Sequence, residues 1–315
     1  MVIWLNELEI IEKIRSTFEV KDYPLTDDVA YLSNKWAYKV DMLVKSTDVP
    51  EGMSGYQLGR KSVAAVLSDL STKGVTPKFM MLSFAFPEGI NNEYIIEILK
   101  GIKEMTNKYK ITLIGGDVNK ANDLIIDCII IGKYKRKVLR SGARVGDKVY
   151  VVGDFGLTTI GLDYLINKKE INNEKLKFFA LKAVYEPDPQ VNFNIDAINS
   201  GYITASMDSS DGLAYTLNEI AEQSKVKIIV NNYPMSEEIK KLISLEGRDP
   251  LKDALYGGEE YQMVFTVNPK KESLLQRLAK KHNVKIYNIG TVVEGKGVYL
   301  SNGDKVEKKG WVFTF

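Results

Sequence analysis

The sequence predicts a two-domain α/β (α+β) protein. Helical and strand periodicities interleave through both halves of the chain. A short basic stretch, residues 133–140, separates the halves and reads as a linker. The length of 315 residues suffices for two independent cores. The division is placed at 1–136 and 137–315.

The elements follow in order. Ile3, Leu5, Leu8, Ile11 and Ile14 recur at helical spacing within residues 1–20. Strands are predicted at 29–32 and 36–44. A long helix over 56–73 has one apolar face made by Leu58, Val63, Val66, Leu67 and Leu70, and Gly74 suits its C-terminal end. A strand at 79–84, a helix at 93–109 and strands at 112–114 and 124–132 complete the first half. The second half opens near Arg140 with a strand at 148–152 and a helix at 157–166. Another helix, 176–185, is stopped by Pro187 and Pro189, and one more covers 191–199. An apolar run at 202–207 leads to a helix at 213–223 and a strand at 226–230. Strands at 263–267 and 286–289 flank a helix at 274–281.

Composition removes several function classes. Forty-three basic and 41 acidic residues give a net charge of +2, which offers no electrostatic case for nucleic acid or an anionic membrane. The runs Lys133-Tyr134-Lys135-Arg136-Lys137 and Lys280-Lys281 read as solvated faces. Glu7, Glu9 and Glu12 interrupt any leader-like start, and Asp127 interrupts the best apolar run at 124–131, so a cytoplasmic chain is expected. Cys128 is the single cysteine, inside an apolar strand, and His282 the single histidine, at a helix end. These counts disfavour a His/Cys zinc site, a Ser-His-Asp triad or a phosphohistidine. A bound metal would take hard oxygen ligands, as Mg²⁺, Mn²⁺ and Ca²⁺ do.

The most informative segment is Met207-Asp208-Ser209-Ser210-Asp211-Gly212-Leu213. It concentrates two carboxylates and two hydroxyls in what reads as a turn. It suits equally a helix start, with Asp208 or Ser209 as N-cap, and a divalent-metal site. It has company: Asp27-Asp28, Ser46-Thr47-Asp48, Ser68-Asp69, Gly115-Gly116-Asp117 and Gly257-Gly258-Glu259-Glu260-Tyr261 each set acids beside glycines or hydroxyls. Taken singly, each has a plain structural reading. Gly115-Gly116-Asp117 reads as a turn, Asp69 as a solvated acid on a polar helix face, and Gly153-Asp154-Phe155-Gly156 as a strand-to-helix turn. Gly59-Arg60-Lys61-Ser62 lacks the phosphate-loop spacing, and there is no GxGxxG after a strand.

In sequence order these segments, with Arg140-Ser141-Gly142-Ala143, Gly146-Asp147 and the closing Gly310-Trp311-Val312-Phe313, resemble the thiamine-monophosphate kinases. That family lies in the superfamily of aminoimidazole ribonucleotide synthetase and selenophosphate synthetase. The resemblance implies a PurM-like architecture, with an N-terminal sheet domain forming a homodimer and binding ATP and metal, and a C-terminal α/β domain. It implies Mg²⁺-dependent transfer of the ATP γ-phosphoryl group to thiamine monophosphate. Several Mg²⁺ ions would be held by Asp28, Ser46, Thr47, Asp48, Asp69, Asp117, Asp208 and Asp211. ATP would meet Gly116, Asp117, Arg140 and Ser210. Glu259 and Trp311 would bind the thiamine part, and Asp48, Asp117 and Asp211 would matter most for catalysis. The chain departs from the family pattern at Thr26, Met53, Gln190, Glu260 and Gln262, near the acceptor side. Another acceptor on the same scaffold is therefore the alternative, and a binding protein without catalysis is a third reading.

Overall fold

A computed structural model of the chain describes residues 6–18 and 27–310. Thr26 and Trp311, both named above, lie outside the described residues, as do parts of the predicted 1–20 helix. That helix is observed as α1 (Glu7–Thr17), started by a reciprocal Asn6–Glu9 capping box.

The first block runs β1 (Ala30–Tyr31), β2 (Trp36–Val44), the short α2 (Lys45–Asp48), α3 (Gly55–Thr72), β3 (Val75–Phe86), α4 (Asn92–Tyr109), β4 (Thr112–Lys120) and β5 (Ile125–Tyr134). Its sheet has the order β1-β2-β5-β3-β4, with β3 and β4 parallel and the other pairs antiparallel. α3 and α4 cover one face, and α3 contacts β2, β3 and β5. Ala37, Lys39, Asp41 and Leu43 of β2 alternate with the exposed Tyr38, Val40 and Met42, so the second set faces away from the helices.

The second block runs β6 (Lys148–Val152), α5 (Leu157–Leu165), α6 (Glu174–Tyr185), α7 (Val191–Asn199), β7 (Ile203–Ser209), α8 (Leu213–Ser224), β8 (Lys227–Val230), α9 (Glu237–Leu245), α10 (Pro250–Tyr256), β9 (Gln262–Val267), α11 (Glu272–His282), β10 (Ile286–Val293) and β11 (Gly297–Leu300). Its six strands are ordered β11-β8-β10-β6-β9-β7. A core containing Val149, Val151, Phe155, Leu213, Leu217 and Val264 fills one face, and one containing Tyr150, Phe193, Phe265 and Leu275 fills the other. Cys128 is buried in β5, and His282 closes α11 with its ring 3.0 Å from the Asp196 carboxylate. No helix among the described residues is long and apolar enough to cross a membrane.

Three local expectations change. Gly115-Gly116-Asp117 is not a turn but lies inside β4. A Cβ on Gly116 would stand 1.8 Å from the Leu82 carbonyl oxygen, so glycine is what lets β4 close onto β3. Asp208 and Ser209 are not helix caps, because both belong to β7; α8 starts four residues further on, after Gly212 at φ 112°. Asp69 is not a solvated acid: it is 6% exposed, because α3 is enclosed by β2, α4, α7 and β7.

Candidate functional site

α3 is the spine of the site. Ser54 and Gln57 form its capping box, and Gly74 follows its last turn at φ 69°. Near its C-terminal end, one oxygen each from Asp28, Asp69 and Asp208 lie within 4.8 Å of one another, and all three residues are buried. Asp208 arrives from β7 and accepts a 2.7 Å hydrogen bond from Ser68 Oγ. Asp28 is held from both sides: Arg140 Nε donates to Oδ1 at 2.8 Å, and Lys73 Nζ lies 2.8 Å from Oδ2. Lys73 also pairs with Asp27 at 2.9 Å and donates to the Ser206 carbonyl at 2.6 Å. Arg140 reaches on to Glu219 at 3.3 Å.

The acids differ in electrostatics. Burial pushes Asp208 well above the ordinary carboxylate range, with the negative neighbours Asp69 and Asp28 adding to it. Burial likewise raises Asp69 and moves Asp211 up to about 6, Glu7 being the next contributor there. Burial works in the same direction on Asp28, but Lys73 and Arg140 outweigh it and hold that carboxyl below its usual value.

Two charged residues that the motifs did not single out belong to this cluster. Asp41 and Lys39 lie on the inward face of β2. Lys39 Nζ is 2.7 Å from Asp69 Oδ2 and 3.2 Å from Asp41 Oδ1. Burial raises Asp41 to about 8; Asp69 adds to the rise and Lys39 opposes it. The signal was present in the sequence: two charges occupy alternate positions of a strand, on one face, with Val40 between them and Tyr38 and Met42 on either side.

A cleft of about 530 Å³ opens beside the cluster. Asp69, Asp208, Ser210 and Asp211 line one end, and Ser46, Thr47 and Asp48 line it from α2. Asp48 Oδ2 accepts from the Val44 amide at 2.7 Å, Thr47 Oγ1 donates to the Val44 carbonyl at 3.3 Å, and the Ser46 amide donates to Asp123 at 3.2 Å. Glu259, Leu162 and Ile166 also line the cleft. Glu259 Oε1 lies 2.7 Å from the fully buried Lys61 Nζ, while its Oε2 is buried without a hydrogen-bond partner. Lys61 also donates to the Asp48 carbonyl at 2.9 Å, so one ammonium ties both walls together. Glu259 and Tyr261 adopt φ of 61° and 51°, and their amides donate to Ser210 and Ser209 carbonyls. Backbone held in that region for non-glycine residues marks a segment shaped by its surroundings.

Gly116 and Asp117 are not brought to this cluster. Across the sheet, Asp117 shares a row with Ser83, Asp127 and Met42, so three strand spacings, roughly 14 Å, separate it from β2. It lies on the exposed edge strand and on the sheet face away from the helices. Glu260, one of the departures, is turned from the cleft: its carboxylate caps the Gly156 amide at 2.6 Å, and burial raises it to about 7.

The donor set fits a divalent cation. Buried carboxylates crowded closely enough to raise one another call for positive charge, and oxygen-only ligands favour Mg²⁺ over softer metals.

Known proteins match this chain along nearly its whole length. Residues 26–134 match the AIR synthase related protein N-terminal domain, and residues 144–301 match the corresponding C-terminal domain. The chain is 36% identical over 312 residues to a thiamine-monophosphate kinase of Nitrosopumilus maritimus, covering 98% of both proteins. It is 34% identical to one from Pyrococcus abyssi over 98% of this chain and 94% of that protein. A solved structure, AaThiL complexed with AMPPCP and TMP, superposes with a TM-score of 0.86 at 30% identity, covering 99% of both chains. The two-domain PurM-like fold is shared along the whole length. The chain belongs to the AIR synthase related family and, within it, to the thiamine-monophosphate kinases.

Proposed function

We propose that this chain transfers the γ-phosphoryl group of ATP to thiamine monophosphate, giving thiamine diphosphate and ADP. One observation carries the reading: Asp69 and Asp208 of the buried trio line the same cleft as Glu259, whose second oxygen has no hydrogen-bond partner. A carboxylate cluster for metal-bound phosphates and, on the same cleft, a carboxylate for a cationic heterocycle are what this bimolecular reaction requires.

Asp28, Asp69, Asp208 and Asp211 would hold Mg²⁺, joined by Ser46, Thr47 and Asp48 on α2. Bound Mg²⁺ screens the repulsion between donor and acceptor phosphates. Arg140 orders Asp28 and offers further guanidinium donors toward the nucleotide, and Ser210 adds a hydroxyl from the β7–α8 connection. The attacking atom is a phosphate oxygen, already ionised near neutral pH, so the chain needs to supply position more than a base. Glu259, anchored by Lys61, would orient the thiamine part, and Trp311 would cover its ring.

Gly116 and Asp117 would reach ATP and metal from a second copy. The outward face of the first sheet exposes Tyr38, Val40, Met42 and Phe79, which supports a homodimer formed through that face. In this account residues 1–136 form the ATP, metal and dimerisation domain, residues 137–315 form the C-terminal α/β domain, and the enzyme is cytoplasmic. Incubation with ATP, Mg²⁺ and thiamine monophosphate, followed by separation of the thiamine phosphates, tests the reading. Thiamine diphosphate is expected; its absence from a preparation that still binds ATP would assign the chain another acceptor.

A further inference from the structure

Lys39 brings a fixed positive charge into the carboxylate cluster. Its ammonium lies 2.7 Å from Asp69 Oδ2 and 3.2 Å from Asp41 Oδ1, and its side chain lines the cleft. Asp69 is also one of the three acids with oxygens close enough to share a cation. An octahedral Mg²⁺ needs the same oxygen lone pairs at about 2.0–2.1 Å and the same space. An ammonium on a tether cannot diffuse away to yield them. Asp28 is already neutralised by Lys73 and Arg140. The resident cations Lys39, Lys73 and Arg140 are thus shared among Asp41 and Asp69, Asp27 and Asp28, and Asp28 and Glu219. Asp208, hydrogen-bonded by Ser68, and Asp211 make no ion pair among the described residues, so they keep their charge for divalent ions.

We propose that Lys39 is a resident cation that takes the place of one divalent ion at the Asp41–Asp69 pair. This deepens, and rests on, the phosphotransferase reading of the cleft. It makes Lys39 a determinant of how many metals the site accepts, and it leaves Asp69 a ligand shared with a protein ammonium.

The test counts metal directly. Mn²⁺ is titrated by electron paramagnetic resonance into wild type, Lys39→Met and Lys39→Arg, each saturated with a non-hydrolysable ATP analogue. Lys39→Met is expected to bind one more Mn²⁺ per chain than wild type, or to bind its weakest ion at least about tenfold more tightly, as removal of a nearby like charge implies. Lys39→Arg, which keeps the charge, is expected to match wild type. Lys39→Gln repeats the neutralisation with a polar side chain, so the result does not depend on the Met variant folding. Equal count and affinity in wild type and the neutral variants would overturn the proposal while leaving the phosphotransferase reading intact. No Mn²⁺ bound by any form would overturn both.

Discussion

α3 carries a fully buried lysine near each end, and the two are used differently. Lys73, beside the C-terminal end, is enclosed by Asp27, Asp28 and the Ser206 carbonyl. Lys61, in the first half, meets one carboxylate, Glu259, and the Asp48 carbonyl. At the first, every charge has a protein partner, and the arrangement joins β7, α3 and the residues before β1. At the second, Glu259 keeps an unpartnered oxygen beside an open cleft. Lys73 thus holds Asp28, a candidate metal ligand that Arg140 also grips, whereas Lys61 holds Glu259 alone, at the wall of the cleft.

The largest expected effect breaks the closed end. Lys73→Met leaves the buried Asp27 carboxylate without a cation and Asp28 with Arg140 alone, and is expected to cost about 3–5 kcal/mol, read from urea unfolding. Unchanged stability would show that Asp27 and Asp28 do not depend on it. Lys61→Met comes next, at roughly 1–3 kcal/mol, because Glu259 can turn toward the cleft and regain water. A loss equal to that of Lys73→Met would erase the distinction between the two ends.

Glu259→Gln sharpens the comparison from the ligand side. It keeps shape and Lys61 contact but removes charge, so stability should hardly move. The KM for thiamine monophosphate should rise at least about tenfold, the scale of one lost charge-assisted contact, while that for ATP stays put. A parallel rise for ATP would place Glu259 at the nucleotide instead.

The smallest effect is in pH. Asp41 and Asp211 have folded-state values of about 8 and about 6, against an ordinary 3.8. A raised folded value favours the folded chain wherever the group is protonated, and that contribution is lost as pH rises through the folded value. The metal-free chain should therefore melt lower at pH 8 than at pH 6. Saturating Mg²⁺ should shrink or reverse the difference, since it binds the ionised acids. Identical pH profiles with and without Mg²⁺ would separate these acids from metal binding.

Much of this arrangement was legible in the sequence, and what was not has definite causes. The amphipathic spacing of Leu58, Val63, Val66, Leu67 and Leu70 marks α3, and Gly74 marks its end. Asp28, Asp69 and Asp208 were legible as acids in motifs, but their convergence depends on β7 packing against α3, a contact between residues about 140 positions apart. The burial of Asp69 was hidden because α3 is covered on its polar side too, by elements from the other block. Lys39 and Asp41 were missed because attention goes to hydroxyl-flanked acids such as Ser46-Thr47-Asp48, and because the apolar face of β2 is the outward one. Asp117 was legible as a motif acid, yet its sheet row sets it far from the cluster of its own chain.

Asp208 is the one trio acid whose hydrogen bond comes from a neutral hydroxyl, with no ion pair among the described residues, so the metal site depends most heavily on it. The direct measurement is thiamine diphosphate formation from ATP, Mg²⁺ and thiamine monophosphate by wild type and Asp208→Asn side by side, each with its melting temperature checked. The account predicts product from wild type and turnover lower by about a hundredfold or more in the folded variant, the usual scale for losing a preorganised charge at a phosphoryl-transfer site. Equal turnover in the two forms would contradict it.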